Sequence, residues 1–379
     1  MITRDLQQEI ESYLKKPKKI IVIFGARQVG KTTLLREIFG KQDGVAWYNG
    51  DEQNTLDLFS KTNLADLKPL ASGHKVVIID EAQRIENIGL KLKILQDNLG
   101  EEIQFVATGS SSFDLANKIN EPLTGRKWTF RLSAPNIREL IKSNGYATEV
   151  ANLENRLIYG SYPAVVSTPE DAKKLLTELT SDNLYKDILN LGDIIKTDKL
   201  RKILKALALQ VGSQVSMNEI GQLVGIDSKT ADKYISLLEQ SFIIFRLPSY
   251  ARNLRNELKS SEKIFFYDNG IRNATINDYR PLEDRQDTGA LFENYIISEM
   301  VKLYSDDNIY FWRTKDQKEI DYIIERNGEL TAIEIKYNEK KDVSLPNLFT
   351  DTYHPTHQFL INRENYARIL GGEDFSYLN

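Results

Sequence analysis

The sequence predicts an α/β protein with a parallel sheet at its start and a second α/β unit at its end, joined by helices and a compact helix-turn-helix pattern. Three observations predict it. Short β-branched runs alternate with amphipathic helical stretches in the first half of the chain, as in a parallel sheet covered by helices. A glycine-bearing loop lies between the first strand and the next helix. After about Asn256 strand-like runs return, following a stretch with helical periodicity.

Ile20 to Phe24, Val76 to Ile79 and Gln104 to Ala107 are short runs rich in apolar β-branched residues, and each is expected as a buried central strand. A fourth strand is expected around Val45 to Asn49 and a fifth around Trp128 to Leu132. From about Pro135 to Leu207 helical spacing takes over, as in Leu175, Leu179, Leu184 and Ile188, which predicts a helical lid. Ser216 to Glu219 has the pattern of a capping box, opening a helix that carries Ile220 and Leu223; Gly225 then turns the chain. A second helix from about Ser228 places Ala231, Tyr234, Ile235 and Leu238 on one face and Lys229, Thr230 and Lys233 on the other. With the strand Phe242 to Leu247 this forms a winged helix. Ile264 to Tyr267, Ile309 to Trp312, Ile320 to Ile324, Ala332 to Ile335 and Gln358 to Ile361 supply the strands of the closing unit. The expected divisions are 1–135, 136–205, 206–255 and 256–379.

At roughly 150 residues per domain, 379 residues make two to three domains. Fifty Lys and Arg against 54 Asp and Glu leave a net charge of -4, which excludes a uniformly basic, nucleic-acid-coating protein. Any basic surface is local: residues 196–259 hold eleven Lys or Arg against six Asp or Glu. The chain has no Cys, which excludes disulfides, thiolate metal sites and a Cys nucleophile. Three His (His74, His354, His357) are too few for a His-rich zinc site, and the last two, flanking a Pro, read as surface-loop residues. No basic start precedes an apolar core and no apolar run approaches membrane length, so neither signal peptide nor membrane span is expected, and the location follows as cytoplasmic.

Gly25-Ala26-Arg27-Gln28-Val29-Gly30-Lys31-Thr32 fits G-x-x-x-x-G-K-[ST] directly after a strand and before a helix. The glycines let the backbone wrap a phosphate, N–H groups and the helix start stabilise the anion, and Lys31 reaches the outer phosphates. Residues 25–32 with Thr33 are thus the expected ATP-binding set, and Thr32 the expected magnesium ligand. Val76 to Ile79 runs into Asp80-Glu81, which puts a carboxylate at the carboxyl edge of the sheet beside the loop. Asp80 is the metal-side candidate and Glu81 the group that polarises the attacking water; the plainer alternative for Glu81 is a helix-start acid. The strand ending at Thr108 leads into Gly109-Ser110-Ser111, where a hydroxyl such as that of Ser110 senses the terminal phosphate or simply satisfies a turn. Arg126 precedes the fifth strand. It reaches a neighbouring subunit's nucleotide if the protein is a homo-oligomer, and is otherwise a surface arginine.

In the closing unit, strand alternation puts Glu334 and Lys336 on one face, and the adjacent strand brings Asp321 alongside. Two acids bind a divalent metal and the lysine positions a hydroxide for phosphodiester cleavage. Glu293, on the amphipathic stretch Ala290 to Leu303, offers a third acid. The alternative is a polar strand edge with ordinary salt bridges.

The series GARQVGKTTLL, VVIIDEAQ, ATGSSS, LTGR and GSYPAVV resembles the AAA-plus ATPases fused to a carboxy-terminal restriction-endonuclease-like domain, a broad bacterial and archaeal family. KIFFYDNGIRNAT and FWRTKDQKEIDYII are similar to that family's final domain, and Glu293, Asp321, Glu334 and Lys336 match the acids and lysine of the PD-(D/E)xK nuclease core. The resemblance covers nearly the whole chain. It implies an AAA-plus core with lid, a winged helix and a nuclease-like end, with ATP, magnesium and a second divalent metal as ligands. DNA as partner is expected from the basic middle segment, through backbone contacts of its second helix and wing; the alternative is a structural winged helix that packs the first unit against the last. Two functions stay open: an ATP-controlled DNA nuclease, and a non-cutting ATP switch that binds DNA or protein and uses the last domain for docking. A small-molecule kinase is disfavoured, having little use for Glu81 beside Asp80.

Overall fold

Five of the apolar runs form one parallel sheet in the order β2-β3-β4-β1-β5: β1 (Ile20–Phe24), β2 (Val45–Asn49), β3 (Val76–Asp80), β4 (Gln104–Gly109) and β5 (Lys127–Arg131). The computed structural model describes residues 2–110, 123–183, 196–250, 262–304, 308–338 and 345–372. Every residue of β1, β3 and β4 is buried, as strands covered on both faces require. Alternate side chains feed two cores: Ile21, Ile23, Ile78 and Val106 on one face, Ile20, Val22, Ile79 and Phe105 on the other. The helix Lys31–Phe39 covers the first face with Leu34, Leu35, Ile38 and Phe39, and Ile88–Leu99 covers the second with Leu92 and Leu95. The pairings Phe24↔Gly109 and Ile79↔Ala107 bring the carboxyl ends of β1, β3 and β4 to one edge.

Residues 137–183 form short helices, and Leu184 and Ile188 of the expected lid lie outside the described residues. These helices are wedged between the first sheet and the end of the chain. Arg138 donates to Leu370 O at 2.9 Å, and the buried Asn273 side chain donates to Leu157 O at 3.0 Å and Ile158 O at 2.8 Å. The helix Thr197–Leu209 follows.

Three antiparallel strands, β6 (Gln214–Val215), β7 (Ile244–Pro248) and β8 (Glu262–Phe266), lie in the order β6-β8-β7 beside the helices Met217–Val224 and Ser228–Gln240. Both helices are capped by side chains, the first by one half of the expected capping box. Ser216 Oγ accepts the Glu219 N–H at 3.4 Å, Asp227 accepts the Thr230 N–H at 2.9 Å, and Gly225 takes a left-handed φ of 70°. One expectation is corrected: the run at Ile264, placed in the closing unit from sequence, pairs with β7 from Ile244↔Phe266 to Pro248↔Glu262. A division at residue 256 therefore cuts a hairpin, because an apolar strand carries no record of its partner.

The last sheet has the order β12-β11-β10-β9, from β9 (Asn308–Arg313), β10 (Glu319–Arg326), β11 (Glu329–Ile335) and β12 (His357–Ile361). The helix Thr288–Leu303 precedes it and Asn347–Tyr353 connects β11 to its parallel neighbour β12. His357 thus begins a strand rather than lying in a loop. A bridge between Ser249 and Phe311 joins β7 to β9. Among the described residues no helix is long and apolar enough to cross a membrane.

Candidate functional site

At the end of β1 the chain turns so tightly at Gly25 that a Cβ there would stand 2.0 Å from the Leu132 carbonyl oxygen. Left-handed φ values at Gln28 (60°) and Gly30 (100°) wind the loop, and Gly30 leads into the helix Lys31–Phe39. Such a wind turns successive N–H groups into one concavity, an anion cradle. The Lys31 side chain is buried, and its ammonium donates to Gly25 O and Ala26 O, each at 2.9 Å. Arg4 braces the loop from behind, donating to Val29 O at 2.9 Å, Ser133 O at 2.6 Å and Glu139 at 3.1 Å. Nothing in the motif points to Arg4. Its signal in sequence is a single arginine before an amphipathic helix.

Asp80 ends β3 beside the loop and is buried. The Thr32 hydroxyl donates to its Oδ2 at 2.6 Å and the Thr108 hydroxyl to its Oδ1. Thr108 Oγ1 also accepts the Glu81 N–H at 3.1 Å. One hydroxyl on β4 thus ties Asp80 to the backbone of Glu81. Glu81 holds a left-handed conformation (φ 49°, ψ 43°), which costs a non-glycine residue on the order of 1 kcal/mol and persists only where the surroundings impose it. Gln83 Nε2 donates to the Glu81 carboxylate at 2.5 Å and to Ser110 Oγ at 3.0 Å. Ser110 is therefore a buried support, and the hydroxyl that meets the acid is Thr108. Ser111 lies outside the described residues.

These groups open on a cavity of about 500 Å³ lined by Arg27, Gln28, Gly30, Lys31, Thr32, Thr33 and Glu81, and also by Asp51, Pro163 and Ala164. Ala26 and Val29 are buried. Pro163 and Ala164 belong to the Gly160-to-Val166 segment, which is held from below: the Ser161 N–H donates to Asp268 Oδ2 at 2.7 Å and the Gly270 N–H to Asp268 Oδ1 at 2.8 Å. A Cβ on Gly160, whose φ is 72°, would lie 2.0 Å from that carboxylate. Burial pushes the Asp268 carboxyl up from its ordinary value, against Lys302 and the N–H groups of Ser161, Gly270 and Ile271. Arg126 lies at the opposite, amino-terminal edge of the sheet, five residues before the loop-side end of β5 and so about 16 Å away along the strand. There it binds Asp97 at 2.5 and 3.2 Å, so it does not reach the cavity beside the loop of its own chain.

In the closing unit the buried carboxylates Asp321 and Glu334 share Lys336, whose ammonium is 2.9 Å from Asp321 Oδ2 and 3.1 Å from Glu334 Oε2. The Ile335 N–H donates to Asp321 Oδ2 at 2.8 Å. Glu293 is drawn to Lys263 at 3.1 Å, and Lys263 also pairs with Glu319. Burial pushes Glu293 and Glu334 up to about 7, Lys263 opposing the shift of the first and Asp321 adding to that of the second. Glu293, Asp321 and Glu334 were the expected metal ligands; among the described residues no three His, Asp or Glu are grouped to hold a metal ion. The acids are near one another, but lysines take the charge. Neither Lys263 nor Glu319 was anticipated, since a lysine opening an apolar strand reads as its solvent end.

On the helix Ser228–Gln240, Lys229 and Lys233 are exposed. Arg246 on β7 is turned inward to Asp232 (2.8 Å), Glu262 (3.0 Å) and Glu239 (3.3 Å).

Residues 17–141 match the AAA domain family, residues 150–281 a domain of unknown function (DUF8612) and residues 288–374 another (DUF4143). An uncharacterized protein of Mycobacterium tuberculosis is 28% identical over 330 residues, spanning 86% of this chain and 72% of its own. One from Haemophilus influenzae is 26% identical over 395 residues, spanning 98% of this chain and 93% of its own. Among solved structures, a Walker-type ATPase of Pyrococcus abyssi shares the fold at 13% identity and a TM-score of 0.52, over 73% of this chain and 96% of that one. The first unit of this protein thus resembles an AAA-type P-loop ATPase domain.

Proposed function

We propose that the chain is a magnesium-dependent ATP hydrolase whose nucleotide state is passed to the units that follow. The observation carrying this is the bonded series Thr32–Asp80–Thr108–Glu81 at the mouth of the loop. Lys31 exchanges its two carbonyl contacts for the outer phosphate oxygens. The oxygen pair of Thr32 and Asp80 fits magnesium, Thr32 as ligand and Asp80 through the ion's shell. When bound with the nucleotide, the ion neutralises charge on the outer phosphates. Glu81 takes a proton from the attacking water as its oxygen bonds the terminal phosphorus and ADP departs. Lys31→Ala is expected to abolish nucleotide binding, whereas Glu81→Gln retains binding and loses turnover. Normal hydrolysis by the Glu81 variant would remove the base assignment.

DNA is the proposed partner of the middle unit, favoured by the exposed Lys229 and Lys233 on the second helix of a winged-helix arrangement. For the closing unit, the order helix, three strands, helix, strand with Asp321, Glu334 and Lys336 together supports a nuclease-like fold. The lysine-neutralised acids favour the non-cutting switch over the nuclease in this conformation. ATPase rate measured with and without single- and double-stranded DNA, beside a cleavage assay, separates the two. Stimulation without cutting supports the switch, and cutting lost in Asp321→Ala supports the nuclease.

A further inference from the structure

We propose that Lys263 is a tethered cation standing in for a divalent metal: delivered by the middle sheet into the acids of the closing unit, it keeps that edge metal-free while β8 is seated. Four carboxylates interact along that edge without forming one cluster: Glu293 feels Glu319 and Asp321, and Glu334 feels Asp321. Lys336 serves the last two. Glu293 and Glu319 belong to the closing unit, yet their shared counter-charge comes from β8, where Lys263 pairs in register with Gln214 and Leu247. The Lys263 side chain is only 3% exposed, so its ammonium contacts acids rather than water. Arg313 adds a contact to Glu319 at 3.4 Å. Gly212, on the turn before β6, closes the same side, since a Cβ there would lie 3.5 Å from both Glu293 oxygens.

A monovalent ammonium on a strand does what a free ion does to neighbouring carboxylates, with one difference: it cannot diffuse away and leaves only if the strand moves. Lys263 is five positions before Asp268, whose carboxylate holds the segment lining the nucleotide cavity. The lock therefore sits on the same short piece of chain as the clamp of the ATP site. The inference rests on the nuclease-like reading only for the identity of the displaced cation.

The test is Mn²⁺ binding to the nucleotide-free full chain, followed by electron paramagnetic resonance and calorimetry. Native protein is expected to show no site that depends on Asp321. Lys263→Met, which keeps the stem and removes the charge, is expected to gain a site with affinity raised about tenfold or more, lost again in Lys263→Met/Asp321→Ala. Lys263→Gln serves if the methionine variant does not fold, with circular dichroism and ATP binding as checks. An Asp321-dependent Mn²⁺ site in the native chain overturns the assignment whatever the variants do. So does a folded Lys263 variant that gains none. DNA cleavage is scored separately: metal gained without cutting upholds the lock and removes the nuclease reading.

Discussion

Replacing Thr108 by Val tests the link between Asp80, the proposed metal-side acid, and Glu81, the proposed water-activating group. The side chain is fully buried and Val keeps its shape, so packing is nearly unchanged. Two contacts vanish: the hydroxyl's donation to Asp80 Oδ1 and its acceptance of the Glu81 N–H. A bond to a charged group contributes roughly 1.5–3 kcal/mol, and a buried N–H left without a partner costs roughly 1–3 kcal/mol. With some recovery by water, the folded state should lose about 2–5 kcal/mol. The strained Glu81 backbone then loses one of its restraints. Misplacing the carboxylate by part of an ångström should lower turnover about 10- to 100-fold, equivalent to roughly 1.4–2.8 kcal/mol in the barrier. Lys31 and the loop are untouched, so ATP affinity should stay within about threefold. Urea unfolding, steady-state hydrolysis and titration with a fluorescent ATP analogue read the three quantities, and Thr108→Ser should restore most of the loss. A Val variant with native stability and native turnover would refute the role given to this hydroxyl.

Gly50→Ala places a Cβ 2.4 Å from the Glu81 carbonyl oxygen, a backbone atom that yields only by shifting the glutamate. Expected are a loss of about 1–3 kcal/mol and a fall in turnover with ATP binding kept; equal loss of both would point to general unfolding instead. Asp278 gives the pH prediction. Hydrogen bonding from Arg280, helped by the charges of Arg280 and Arg285, holds its carboxyl down at about 2 against an ordinary 3.8. A depressed folded value means the stabilisation is complete above about pH 4 and is lost as pH falls through about 2. The stability gap between native protein and Asp278→Asn should therefore shrink across that window, and a gap independent of pH in urea titrations would contradict it.

The first sheet was legible almost residue by residue because each central strand is apolar on both faces and each lies between a turn and an amphipathic helix. The ATP loop was legible for a related reason: its function is performed by backbone, and only glycine permits that backbone at Gly25 and Gly30. The supports were not. Arg4, Thr108 and Asp268 act through contacts made across 25 to 135 positions of chain, and no local pattern records such partners. The closing unit shows the same limit in sharper form. Asp321, Glu334 and Lys336 meet as strand alternation requires, whereas the fate of Glu293 was decided by Lys263 on a strand whose sheet could not be assigned from its own residues. The charges of a cluster were countable in advance, but which strand delivers the neutralising ones was not.

Arg4 bears on how the protein can be taken apart. A fragment begun at residue 17, where the matched ATPase domain starts, would contain the loop from Gly25 to Thr32 and Asp80-Glu81 and yet lack the guanidinium behind Val29. It would also leave Glu139 without the arginine and without the Asp5 N–H that it accepts at 2.8 Å. Domain dissection guided by motifs would thus yield a soluble-looking fragment whose weak nucleotide affinity reports the cut rather than the protein. A fragment meant for biochemistry therefore has to include both Arg4 and Glu139, and affinity tags at the amino terminus belong on a spacer that leaves this brace undisturbed.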